Sequence, residues 1–200
     1  MNLPVLSSAY FPNADYCRVL SENEKIIIDQ GEHYIKQSHR SRCEILGPNG
    51  ILKLIVPLKK RKNNICTKDV RIAYEENWRK LHWKSLESAY RSSPYFEYYE
   101  DKLDKLITQC NHKFLVDLNM EILEFVESVL ELDIDIEIST EYLDDVDESM
   151  DLRNSIGTAG EYNDKYPSYT QVFPRNAFTG NLSIIDLICN EGPNTIHLLH

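Results

Sequence analysis

Three consecutive isoleucines, Ile26-Ile27-Ile28, place the tightest limit on how this chain can fold. Successive residues of a strand face opposite sides of its sheet, so a run that is apolar at every position reads as a strand buried on both faces. Ahead of it, Val5 to Tyr10 is short and apolar enough for another strand. Phe11-Pro12-Asn13 turns the chain, and Ala14 to Ser21 supplies roughly two helical turns. The resulting β-α-β unit predicts a parallel pair with a right-handed crossover, and ligands collect beyond the carboxyl ends of such strands. Those ends carry Ser8-Ala9-Tyr10 and Asp29-Gln30.

The stretch Asp29 to Cys43 comes next, dense in acids, bases and histidines. It lies between Ile26–Ile28 and the β-like pair Glu44-Ile45-Leu46 and Ile51 to Val56, so its polar groups sit on rigid scaffold, a common setting for a binding or catalytic site. Gly47-Pro48-Asn49-Gly50 predicts a hairpin over residues 43–58, because Asn and Gly accept positive φ. Pro57 ends its second arm. Lys59-Lys60-Arg61-Lys62 reads as a solvated hairpin loop, and Thr67 to Tyr74 alternates with period two, predicting a further strand of the same sheet.

From Asn77 onward, Trp78, Leu81, His82, Ser85, Leu86, Ala89 and Tyr90 fall on one helical stripe, with His82 inward. Ser93-Pro94 predicts the start of a second helix with Tyr95, Tyr99, Leu103 and Leu106 on its buried face. Phe114, Leu118, Ile122, Phe125 and Val129 predict an amphipathic helix over residues 113–131, its acids opposite them. Asp133 to Ile138 alternates as a half-buried strand, residues 139–166 read as helix-poor and acidic, and Leu182 to Cys189 as a closing helix ended by Gly192-Pro193. The sum is one mixed α/β domain over 1–200: a small sheet from residues 4–74 and 133–138, opening with the β-α-β unit and hairpin and covered by a helical layer around 78–130.

Charge divides the chain. Residues 1–113 carry 19 Lys and Arg against 14 Asp and Glu, whereas residues 114–200 carry 3 against 18, giving +5 and −15 and the overall −10. Either a basic cleft in the first part receives an anionic ligand, or the acidic part is a solvated outer layer. The overall negative charge argues against nucleic acid as a partner. Five cysteines without CxxC or metal-ligand spacing fit a reducing cytoplasm. No apolar run approaches the roughly 20 residues of a membrane span. GxGxxG, P-loop, GxSxG and HExxH patterns are absent. A calcium loop begun at Asp145 would place Met150 where glycine is needed and Ile156 where a bidentate Glu is needed, so no metal is expected.

Several separated motifs, in order, resemble the WbqC-like family: Tyr10-Phe11-Pro12, Glu32-His33-Tyr34-Ile35-Lys36-Gln37 with Arg40-Ser41-Arg42, Leu54-Ile55-Val56-Pro57, Trp78 with His82, and Tyr90 to Phe96. Tyr169-Thr170-Gln171-Val172-Phe173, Asn181 to Leu187 and Gly192-Pro193 are similar to its closing segment. The resemblance implies a bacterial protein of cell-surface polysaccharide and O-antigen assembly. It further implies a cytoplasmic, transferase-like step on an activated amino sugar such as a nucleotide sugar, by acyl or aminoacyl transfer. It leaves any cofactor unspecified. The alternative is a non-catalytic accessory or scaffold protein that binds a polysaccharide-assembly enzyme.

Under the enzyme reading, Arg40 and Arg42 share one face of extended backbone and clamp a phosphate or carboxylate; under the structural one they pair with Glu32 and Glu44. Lys36 is a catalytic amine, a phosphate ligand or an exposed ion-pair partner. His82 is a general base or a hydrogen-bonded core histidine. Asp29 and Glu32 divide acid and base duties, or Asp29 closes an Asx turn. Tyr10, Tyr34 and Trp78 flank the sugar or base, and Gln171 completes the pocket or, like Asp186, stitches down the closing helix. The enzyme reading requires Arg40, Lys36 and His82 to line one concavity.

Overall fold

The computed structural model describes residues 3–60, 64–156, 166–173 and 177–200. Arg61 and Lys62 of the basic loop, and residues 157–165 of the acidic stretch, lie outside the described residues. The fold is mixed α/β, as its patterning predicts. The opening unit is β1 (Val5–Leu6), α1 (Ala14–Glu22) and β2 (Lys25–Asp29), with β1 and β2 parallel and Val5 opposite Ile27. Asn13 caps α1, its side-chain oxygen accepting from the Tyr16 amide at 3.2 Å, because a helix start leaves amides without backbone partners. β5 (Asp135–Ser139) pairs parallel to the other side of β2, so the three isoleucines form the central strand and are buried.

The hairpin is made by β3 (Arg42–Gly47) and β4 (Gly50–Ile55), with Gly47 opposite Gly50 and Pro48-Asn49 as the turn. Positive φ falls on Gly50, at 106°, and not on Asn49. Proline at the first turn position presets the negative φ that forces this arrangement. Hairpin and parallel strands form two sheets where the sequence suggested one.

Thr67 to Tyr74 departs from the expected strand. Thr67–Asp69 is a turn of 3₁₀ helix, and the residues after it make only isolated bridges, Ile72 to Leu58 and Arg71 to Phe114. Local contacts explain it: the Thr67 and Lys68 amides donate to the carbonyls of Glu32 and Gln30, at 2.8 and 2.9 Å, which removes them from any ladder.

Three helices come next in the chain: α2 (Trp78–Tyr90), α3 (Phe96–Thr108) and α4 (Leu115–Leu130). On α2, Trp78, His82, Leu86, Ala89 and Tyr90 are buried, but Leu81, at the edge of the stripe, is 66% exposed. Ser93 does not cap α3. Its hydroxyl donates to the Tyr90 carbonyl at 2.7 Å and closes α2, so α3 begins at Phe96. The chain ends in α5 (Ile184–Glu191), capped by Ser183, a 3₁₀ turn over Gly192–Asn194, and α6 (Thr195–Leu198). One apolar core joins α1, β2, the inner hairpin face and α2 to α5.

Candidate functional site

Beyond the carboxyl ends of β1 and β2 lies a knot of buried charge. Asp29, fully buried at the end of β2, accepts the Gly31 and Glu32 amides through Oδ1 at 2.9 and 3.1 Å, the Asx turn expected of it. Its Oδ2 receives Nη1 of Arg153 at 2.6 Å, and Arg153 also holds Asp151. Glu32 takes Nε of Arg40 at 2.6 Å and its Nη2 as well, a bidentate pair buried on both sides. Burial raises the Glu32 carboxyl above its ordinary range, against the pull of Arg40. Arg40 also donates to the Arg153 carbonyl and to Asn154 Oδ1, both at 3.2 Å, so the two ion pairs interlock.

This knot forms one wall of a cleft of about 300 Å³. The opposite wall is the outer hairpin face. Register places Arg42 opposite Ile55 and Glu44 opposite Lys53, and the period of two brings Arg42, Glu44 and Lys53 to the same face. All three line the cleft, together with Ala9, Gln37 and Asn154. Gln37 adopts φ 60°, unusual for a residue with a side chain, and such departures gather at ligand sites.

The lining cations differ in how they are used. Arg40 is held by Glu32, Arg153 by Asp29 and Asp151, and Lys53 lies 3.0 Å from Glu44. Arg42 alone among these four makes no ion pair within the described residues, and its Nε is buried without a hydrogen-bond partner. A buried donor left without an acceptor is uncommon in a folded protein.

The remaining candidates lie elsewhere. His82 and Trp78 border a second groove, of about 370 Å³, between β4 and α2, with Leu52, Ile55 and Leu81. Lys53 borders both concavities, so one strand separates them. Tyr10, buried beneath, shares a hydrogen bond with His82 Nδ1 at 2.9 Å. Burial lowers the imidazole pKa to about 4, against the pull of the Ile55 backbone.

Lys36 is exposed and borders neither concavity. Tyr34 bonds the Ser41 hydroxyl at 2.6 Å. Gln171 donates to Asp186 at 3.0 Å and to the Thr179 carbonyl at 2.9 Å, while Asp186 also accepts the Tyr90 hydroxyl at 2.8 Å. Gln171 and Asp186 therefore pin the tail to α2 and α5, away from the cleft. Arg40 and Arg42 do meet in one concavity, but Arg40, Lys36 and His82 do not. The pairing weighed for the two arginines splits: Arg40 is bound to Glu32, whereas Glu44 goes to Lys53 and leaves Arg42 unpaired.

The sequence reading missed Arg153, Lys53, Asn154 and Asn119, the last bridging the Ser8 hydroxyl and the Arg40 carbonyl at 3.1 and 2.9 Å. One signal existed for Arg153: it is among only three basic residues after position 113 and stands in an acidic stretch, where a lone arginine invites an internal partner. Within that stretch, Asp147 closes a turn onto Ser149 and Asp151 holds Arg153. Among the described residues no group of three or more His, Cys, Asp or Glu is arranged to hold a metal ion, and no helix is long and apolar enough to cross a membrane.

The model of the WbqC-like protein family matches residues 7–159 and 153–198, which includes α1, β2, both walls of the cleft and the closing helix. No curated protein and no solved structure matches the chain. With nearly its whole length matched in the family's order, the chain belongs to the WbqC-like protein family.

Proposed function

We propose that this protein is a cytoplasmic, transferase-like enzyme of bacterial surface-polysaccharide (O-antigen) biosynthesis, acting on an activated amino sugar by acyl or aminoacyl transfer, with the Arg42 cleft as its site in place of the Arg40, Lys36 and His82 set that this reading began from, whose members lie apart. The observation that carries the proposal is Arg42, a cleft-lining guanidinium without a carboxylate partner among the described residues, on a chain of net charge −10. An acidic protein that keeps one arginine unpaired in a concavity is suited to an anionic ligand such as the phosphate of a nucleotide sugar. The Glu32–Arg40 and Asp29–Arg153 pairs hold that wall rigid, and neither Glu32 nor His82 is free to shuttle a proton as they stand.

Thermal unfolding against nucleotide sugars, nucleotides, sugar phosphates and acyl donors tests the reading. A ligand at 100 times its dissociation constant adds about 2.7 kcal/mol of stability. Stabilisation by one class, lost in Arg42→Ala, supports it; no stabilisation by any class overturns it.

The groove between β4 and α2 favours a second reading, an accessory protein docking on a polysaccharide-assembly partner. Leu52, Ile55 and Leu81 are 41%, 43% and 66% exposed there, more apolar surface than a lone residue explains. Leu81→Glu would abolish partner capture under this reading and leave ligand stabilisation intact under the first.

A further inference from the structure

We infer that the cleft recognises the glycosyl-phosphate portion of its ligand, a monosaccharide carrying a single oxyanion, and leaves any nucleoside outside. The inference rests on the proposed reading that the cleft takes an anionic sugar derivative, and it names which part is read.

Size is the first argument. About 300 Å³ lies at the lower limit of small-molecule sites, which run from about 300 to 1,000 Å³. That space suits a hexose with one charged group and leaves no room for a base and ribose as well.

The distribution of charge is the second. A diphosphate demands several free cations, yet Arg40 and Arg153 are committed to buried carboxylates and Lys53 to Glu44. Among the described residues Arg42 is the one of these four cations left to bind an oxyanion, with Lys53 diagonally across the hairpin on the same face. The Lys53–Glu44 contact joins a half-exposed lysine to a buried carboxylate, which would be left alone if the lysine moved, so Lys53 stays on Glu44. One unpaired guanidinium matches one phosphate or carboxylate.

The neutral lining is the third. Asn154 gives its oxygen to Arg40, which directs its amide hydrogens elsewhere, and Gln37 also lines the cleft. These are the amide groups that read sugar hydroxyls. The apolar lining residues Ala9, Ile35 and Ile156 suit the carbon face of a pyranose; the tyrosine of the lining, Tyr16, is buried with its hydroxyl on the Ser7 carbonyl at 2.9 Å, which leaves little of its ring face for a nucleobase to stack on.

Isothermal titration of the full chain with glucosamine 1-phosphate, the matching uridine diphosphate sugar, uridine monophosphate and inorganic phosphate distinguishes the cases. Expected affinities for the sugar phosphate and the nucleotide sugar agree within about three-fold, and neither uridine monophosphate nor inorganic phosphate competes at ten-fold excess. Arg42→Lys, which keeps the charge and loses the fork, weakens sugar-phosphate binding at least ten-fold. Should that variant unfold, the competition series on the native chain still decides the matter. Binding of the nucleotide sugar and uridine monophosphate without the sugar phosphate overturns this inference while the proposed function stands. Inorganic phosphate binding as tightly as the sugar phosphate overturns it also. Silence from all four probes, with stabilisation by acyl donors, overturns it alone; silence from those donors as well removes the proposed function with it.

Discussion

Arg153 reaches Asp29 across 124 positions of sequence, its Nη1 lying 2.6 Å from a carboxylate oxygen that is wholly buried. The acidic segment after β5 is thereby tied to the carboxyl end of the central strand. Removing one member of such a pair strands the other charge, at a cost of about 3–5 kcal/mol. Arg153→Met is expected to lower the urea midpoint accordingly. Asp29→Asn combined with Arg153→Met should recover most of that loss, since the Asn oxygen still accepts the two turn amides; equal losses in single and double variants would refute the pairing argument.

The two arginines of the Arg40-Ser41-Arg42 triplet should behave oppositely. Arg40→Ala leaves Glu32 buried and alone, and a loss of about 3 kcal/mol is expected. Arg42→Ala breaks no ion pair, so its unfolding midpoint should stay within about 1 kcal/mol of the parent. Chemical denaturation of both variants checks the contrast, and it makes Arg42→Ala the cleaner probe of ligand binding.

Acid should weaken the fold partly through His82. Burial lowers the folded pKa to about 4, whereas the unfolded imidazole titrates near 6.5. Between those values the unfolded chain binds the extra proton, so stability is fully present above pH 6.5 and is lost as pH falls toward 4, by about 3 kcal/mol. Glu32 and Asp186, both raised by burial, bind protons more readily folded than unfolded and slope the opposite way. The comparison is therefore between parent and His82→Gln over pH 4.5–7: the variant should lose the His82 part of the slope.

Gly31 passes so close to the chain after β5 that a Cβ there would stand 2.3 Å from the Glu141 carbonyl carbon. Backbone cannot yield as a side chain does. Gly31→Ala should cost about 3 kcal/mol, the upper range for overpacking, and expose residues 140–150 to protease. Limited proteolysis followed by mass mapping tests this, and cleavage confined to other loops would contradict it.

Local signals made much of the fold legible. The isoleucine run, the stripe on α4 and the Pro-Asn-Gly turn each arise from neighbours within a few positions, where strand period, helix period and turn chemistry act. The Asx turn of Asp29 and the inward face of His82 belong to the same class. Thr67 to Tyr74 failed because alternation is only a proxy for pairing: its amides found the carbonyls of Gln30 and Glu32 first.

The site was legible in outline and not in its parts. The dense stretch 29–43 pointed to the region where the cleft lies, and Arg42 was among the residues named there. Which arginine is free could not be read along the chain, because Arg40 and Arg42 differ only in what lies opposite. Arg40 meets Glu32 and Asn154, and hairpin register gives Glu44 to Lys53. Secondary structure comes from short-range sterics and periodicity, which the sequence carries by itself. The partner of each charge depends on packing between segments more than 100 residues apart, as in Asp29 with Arg153, and only the tertiary structure decided that.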